Sequence, residues 1–224
     1  MEGVLINLAA ANAAFVGTHF VMSHPLRAPM VKVLGALGFQ IAYSLVSIAT
    51  LAWVYFAFKA APPADLGGSG EIGWIASTII TLPAMVLFAG SLMGNPALPT
   101  PQAEEQARAE PGGVFKVTRH PMMWGFALWA LSHIVLFWST RTMITAFAIA
   151  VLALVGARFQ DSKKEVLMGE AWAVWESRTS YWPRWGALFA AGAVPWALGI
   201  AFFALFSWLH LPLGGIPAGI WRWF

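Results

Sequence analysis

Long stretches without a single charged side chain alternate with short charged clusters along this chain. Residues 3–26, 33–58, 72–103, 120–140, 142–157 and 185–221 contain no Asp, Glu, Lys or Arg. A bilayer crossing takes about 20 apolar residues at roughly 1.5 Å rise each, so every stretch accommodates one helix. The stretch 142–157 is the shortest, and Arg141 and Arg158 can snorkel from its ends. The last stretch holds one helix plus a tail broken up by Pro195, Pro212 and Pro217. The pattern predicts an all-α, polytopic membrane helix bundle of about six transmembrane helices, with residues 1–224 as a single integral membrane domain.

One charged segment keeps a helical period. In 159–177, Leu167, Met168, Ala171, Trp172 and Trp175 fall on one face, and Lys163, Lys164, Glu170 and Glu176 lie largely elsewhere. This reads as one cytoplasmic amphipathic helix on the membrane surface or under the bundle. Segment 60–70 reads as an external Pro/Gly turn, and 94–113, with four prolines, as a longer cytoplasmic loop.

Composition agrees with the pattern. The 224 residues are 59% hydrophobic and 10% charged, whereas soluble domains carry about 25% charge. The net charge of +3 is a matter of topology rather than of a basic surface for nucleic acid. With six spans, Arg27, Lys32, Arg108, Lys116, Arg119, Arg158, Lys163, Lys164, Arg178 and Arg184 share one side, and Lys59, Arg141 and Arg222 the other. The excess marks the first side as cytoplasmic. The expected location is a bacterial inner membrane, with both termini periplasmic and membrane lipid as the surrounding partner. The only early charge is Glu2, so residues 3–22 read as a retained helix and not as a cleaved signal. There is no cysteine, which excludes disulfides and thiolate ligands together.

Ionisable groups inside a bilayer are costly and call for a reason. His19 and His133 lie well within predicted spans, His120 marks the start of the fourth, and His24 and His210 sit at ends. A neutral histidine bonded to a helix carbonyl is one reading, and a shared ligand set for haem iron is the other. The depths of His19 and His133 differ, and an upright ring would pair His19 more naturally with His120. Arg119 and His120, ahead of Pro121 at a helix N-terminus, could hold an anionic group such as a propionate, or could simply anchor the cytoplasmic face. Asn12, two turns before His19, could orient a ligand or join helices.

The run Thr118-Arg119-His120-Pro121-x-Met123-x-Gly125, followed by Trp129-x-Leu131-x-His133, resembles the signature of the NnrU family, which includes the zeta-carotene isomerases. His19 with Pro25 and Arg27, Gly169-Glu170-Ala171, and Arg178-Thr179-Ser180 through Pro183 extend the likeness over nearly the whole length. Resemblance to the isomerases implies haem b held by His19 and His133, and redox-dependent cis-trans isomerisation of a hydrophobic, carotenoid-like polyene. Resemblance to the bacterial members implies a part in nitrite and nitric oxide metabolism, with a redox partner of unknown kind. The isomerases carry a cysteine three residues before the second histidine, where this chain has Ala130. A second likeness, Gly113-x-Phe115-x3-Arg119-His120-Pro121-x3-Gly125, is to the isoprenylcysteine carboxyl methyltransferases, which implies S-adenosylmethionine as an alternative cofactor. Those enzymes have an acidic pair where this chain reads Gln160-Asp161, so one carboxylate is missing.

Overall fold

The computed structural model describes residues 2–224, and no strand occurs among them. Eight α-helices follow in order: α1 (Glu2–Ser23), α2 (Arg27–Ala60), α3 (Gly70–Gly90), α4 (Ala103–Arg108), α5 (Pro121–Leu136), α6 (Thr140–Met168), α7 (Glu170–Arg178) and α8 (Ala193–Gly214). Five of them, α1, α2, α3, α6 and α8, are long and apolar enough to cross a membrane. The sixth apolar helix, α5, has 16 residues and a length of about 24 Å, a little short of the hydrocarbon core. Each predicted stretch therefore yields one apolar helix, and the molecule is a polytopic helical membrane bundle.

Contacts string these helices in a row: α2 packs on α1, α1 on α6, α6 on α5, α5 on α3, and α3 on α8. Lipid-facing side chains such as Val33, Leu37, Leu45, Ile48 and Phe56 on α2 are exposed accordingly. The row closes tightly where side chains vanish. A Cβ on Gly125 of α5 would lie 2.9 Å from the Ala84 carbonyl oxygen of α3, and one on Gly199 of α8 would lie 2.6 Å from Val86 Cα. Glycine thus brings two neighbouring backbones onto α3.

Local chemistry sets the helix ends. Pro121 opens α5, where its missing N–H is no loss. Ser139 caps α6 by accepting from the Thr142 N–H at 3.3 Å. α2 is broken at Gly35 (φ 70°, ψ 172°), which separates a short helical arm bearing Arg27 and Lys32 from the span itself.

The structure redraws the segment 159–177. α6 does not stop near residue 157 but continues to Met168, and Gly169 (φ 51°) then turns the chain into the short α7. The expected single amphipathic helix is therefore a helical extension plus a second helix. Of the two expected placements, its apolar face takes the one under the bundle. Ala171, Trp172 and Trp175 are buried with Val114, Phe115, Val117, Val86 and Leu87 in a core that caps the basic end of the bundle.

Candidate cofactor site

Two groups of polar residues stand out, one at the basic end and one inside the bundle. At the basic end, residues 117–119 lie beside residues 180–184. The Arg119 N–H donates to Ser180 O and the Arg184 N–H to Val117 O, both at 2.8 Å. Thr118 Oγ1 donates to Tyr181 O at 2.8 Å, and Trp124 Nε1 donates to the same carbonyl at 2.9 Å. These bonds fix Arg119 and His120 just ahead of α5, facing the extension of α6.

There they meet Asp161, whose side chain is wholly buried. Arg119 donates from Nε at 3.0 Å and from Nη2 at 2.6 Å to the two carboxylate oxygens. His120 Nε2 lies 2.8 Å from Asp161 Oδ1, to which its N–H donates, and its Nδ1 lies 3.2 Å from the Gln160 side-chain amide. Arg119 also reaches Glu176 at 3.1 Å. Burial, together with the nearby Asp161 charge, holds the Glu176 carboxyl above the usual carboxylate range, although Arg119 pulls the other way. Burial and the same charge raise the Tyr181 phenol. Such a knot, with every member paired, is a rigid brace between α5, α6 and α7. An anion is already present where an external propionate or carboxylate would have to sit, and it is supplied by the chain. Asp161 was visible beforehand only as half of Gln160-Asp161; its role as the anion of this knot depends on the α6 extension.

The five histidines divide by what their ring nitrogens touch. His120 has both engaged, as above. His24 also has both engaged, with Nδ1 3.3 Å from Phe20 O and Nε2 3.0 Å from Phe159 O. His19, His133 and His210 each donate Nδ1–H to the carbonyl four residues back, at 2.7 Å to Phe15, 2.8 Å to Trp129 and 2.8 Å to Phe206. A helix carbonyl on Nδ1 fixes the tautomer and leaves the Nε2 lone pair outward, the form in which imidazole binds metals. His19 Nε2 has the Ser47 hydroxyl 3.4 Å away; for His133 and His210 no hydrogen-bond partner of Nε2 occurs among the described residues.

The structure does not bring His19 and His133 together. His19 packs with Phe15 and Tyr43, on α1 and α2. His133 packs with Trp129 of α5 and with His210 of α8. α6 stands between α1 and α5 and serves as a ruler. Phe20 of α1 meets Phe159, near the basic end of α6, whereas His120, ahead of α5, meets Asp161 at that same end. His133 is 13 residues further along and thus about 18–20 Å away from that end. Two ligands of one iron cannot be that far apart in depth, so His19 and His133 do not fit a single metal in this arrangement. Asn12 bonds Leu8 O at 2.9 Å and Thr145 Oγ1 at 3.4 Å, joining α1 to α6.

These features define a polytopic helical membrane protein with a braced basic end and unpaired imidazole nitrogens inside its spans. The NnrU family model, described as NnrU protein, matches residues 7–218, and the chain belongs to the NnrU family. Among curated proteins and among solved structures, none matches the chain.

Proposed function

We propose that the chain is a haem-b protein of the membrane, acting on or through a hydrophobic small molecule in the bilayer with electrons from a redox partner. The observation that carries this reading is that His19, His133 and His210 each tie Nδ1 to a helix carbonyl, with Nε2 open at His133 and His210. No group of three or more His, Cys, Asp or Glu side chains is poised for a metal among the described residues. A bare zinc or copper ion wants more protein donors than a pair of imidazoles provides. A macrocycle brings four equatorial nitrogens of its own and asks the protein for axial ligands alone. When bound, haem supplies one-electron redox chemistry and, by likeness to the zeta-carotene isomerases, cis-trans isomerisation of a polyene.

The chain's own part is to orient the imidazoles. Trp129 packs against the His133 ring, and the Phe206 carbonyl holds the His210 ring. Arg119 and His120 enter this reading as a brace, because Asp161 already takes up their donor groups. Expression with haem precursor, purification in detergent and a pyridine haemochrome assay test it. The expected outcome is one b-type haem per chain with a Soret band. A protein that stays colourless after reconstitution with haemin, and binds S-adenosylmethionine instead, would point to the methyltransferase likeness.

A further inference from the structure

Arg108, Arg119, Arg178 and Arg222 each pair with a carboxylate. Cations gather without one where the arm of α2, residues 27–34, begins beside the extension of α6. The chain enters the arm directly from α1, whose Phe20 ring packs edge-on against Phe159 of α6 with centroids 5.2 Å apart. His24 Nε2 lies 3.0 Å from the Phe159 carbonyl oxygen, which ties the start of the arm to α6. Lys163 stands one turn beyond Phe159 on the same side of α6, toward Arg27. Lys164, beside it, is 7% exposed and donates to the Pro96 carbonyl at 2.9 Å. None of these three cations forms an ion pair among the described residues. Burial, and after it the Arg27 charge, holds the Lys163 ammonium below the usual lysine range. Burial, then the charges of Lys163 and Arg27, brings Lys164 to about 8. Like charges held together on a partly desolvated surface repel, and an anion placed among them offsets that repulsion.

The arm also carries an apolar face of its own. Leu26, Val33 and Leu34 fall together at helical spacing and are 43%, 82% and 48% exposed. A short basic helix with such a face, set off from its span by the break at Gly35, is suited to lie in the headgroup layer. We infer that this corner holds one anionic phospholipid from the leaflet at the basic end, with its phosphate on Arg27 and Lys163 and its acyl chains along Leu26, Val33 and Leu34. Lys164 adds its charge from behind, since its ammonium is already bonded to a carbonyl. A free phosphate would satisfy the cations and leave the apolar face uncovered; a phospholipid has both parts joined. The site does not depend on the haem reading, and its failure would leave that reading untouched.

The test uses the full chain, stripped of lipid in detergent and given phosphatidylglycerol, phosphatidylcholine with the same acyl chains, or inorganic phosphate. Native mass spectrometry reads retained lipid, and thermal unfolding reads stability. Phosphatidylglycerol should be retained and should raise the melting temperature, and the other two should do neither. Arg27→Gln and Lys163→Gln should each weaken retention by roughly tenfold or more, the usual effect of losing a charge-assisted contact. Lys163→Arg should keep it. Lys116→Gln, which removes an exposed lysine from the same end, should also keep it, because a site is local and the attraction of a leaflet is not. Without lipid, Lys163→Gln should melt no lower than wild type, since it relieves a repulsion; a merely structural lysine would give the reverse. If Lys163→Gln does not accumulate, Arg27→Gln carries the comparison. Equal retention of the two lipids, or an equal loss in Lys116→Gln, overturns the inference in favour of leaflet-wide attraction. Stabilisation by inorganic phosphate as large as that by phosphatidylglycerol overturns it in favour of a soluble anion.

Discussion

Asp161 is the residue on which the basic end depends, because three donor groups from Arg119 and His120 converge on its carboxylate inside a buried site. Removing one partner of a buried ion pair leaves a desolvated charge, and such losses cost about 3–5 kcal/mol. Asp161→Ala should therefore lower the melting temperature in detergent sharply, and much more than Arg108→Ala, whose ion pair with Glu170 is exposed. Equal melting of the two variants would refute the brace. Glu176 gives a pH test. Its carboxyl is raised in the folded protein, so the ionised form is disfavoured there and the protein gains stability as pH falls from neutrality through the raised value. Glu176→Gln should remove that gain. The variant's melting temperature relative to wild type should be highest above neutrality and should decline on acidification toward the usual carboxylate range near pH 4.3. A difference that does not vary with pH would show Glu176 to be unperturbed. At this scale the sequence was partly readable. His133 lies in a charge-free run and falls within α5 as expected, whereas Pro195, Pro212 and Pro217 hid where the last helix runs, and its extent to Gly214 places His210 a turn inside.

Charge-free runs identify helices but not how far those helices continue into water. All six runs became apolar helices, since a bilayer leaves the backbone little alternative to intrahelical bonding. α6 escaped that logic. Its last turns carry charge, and they are stabilised by partners remote in sequence: Asp161 by Arg119, and Lys164 Nζ by the Pro96 carbonyl at 2.9 Å. No periodicity announces such pairings. The contacts through glycine were no more legible, because Gly17 and Gly199 look alike in sequence and differ only in their neighbours. A Cβ on Gly199 would strike the α3 backbone at Val86, whereas one on Gly17 of α1 meets nothing within 4 Å. Gly199→Ala should thus destabilise the bundle by about 1–3 kcal/mol through forced separation of α3 and α8. Gly17→Ala should be neutral or stabilising by up to about 1 kcal/mol, since alanine favours helix. Thermal unfolding of the two variants side by side decides it, and a harmless Gly199→Ala would mean that α8 does not rest on Val86.

Across the whole molecule, the row of helices places the braced knot and the His133–His210 pair at opposite ends of α5. Ten of the thirteen Lys and Arg residues belong to the end that holds the knot: Arg27, Lys32, Arg108, Lys116, Arg119, Arg158, Lys163, Lys164, Arg178 and Arg184. The other end keeps Lys59, Arg141 and Arg222, and there Arg141 bonds the Phe58 and Ala61 carbonyls while Arg222 pairs with Glu71. Basic loops stay on the cytoplasmic side during insertion. The knot is therefore expected in the cytoplasm, and the imidazole pair toward the far leaflet with both chain ends. Reporter fusions after Phe224 and within 94–113 should be active in opposite compartments, the second one cytoplasmic. A cytoplasmic signal from the fusion at Phe224 would invert the molecule.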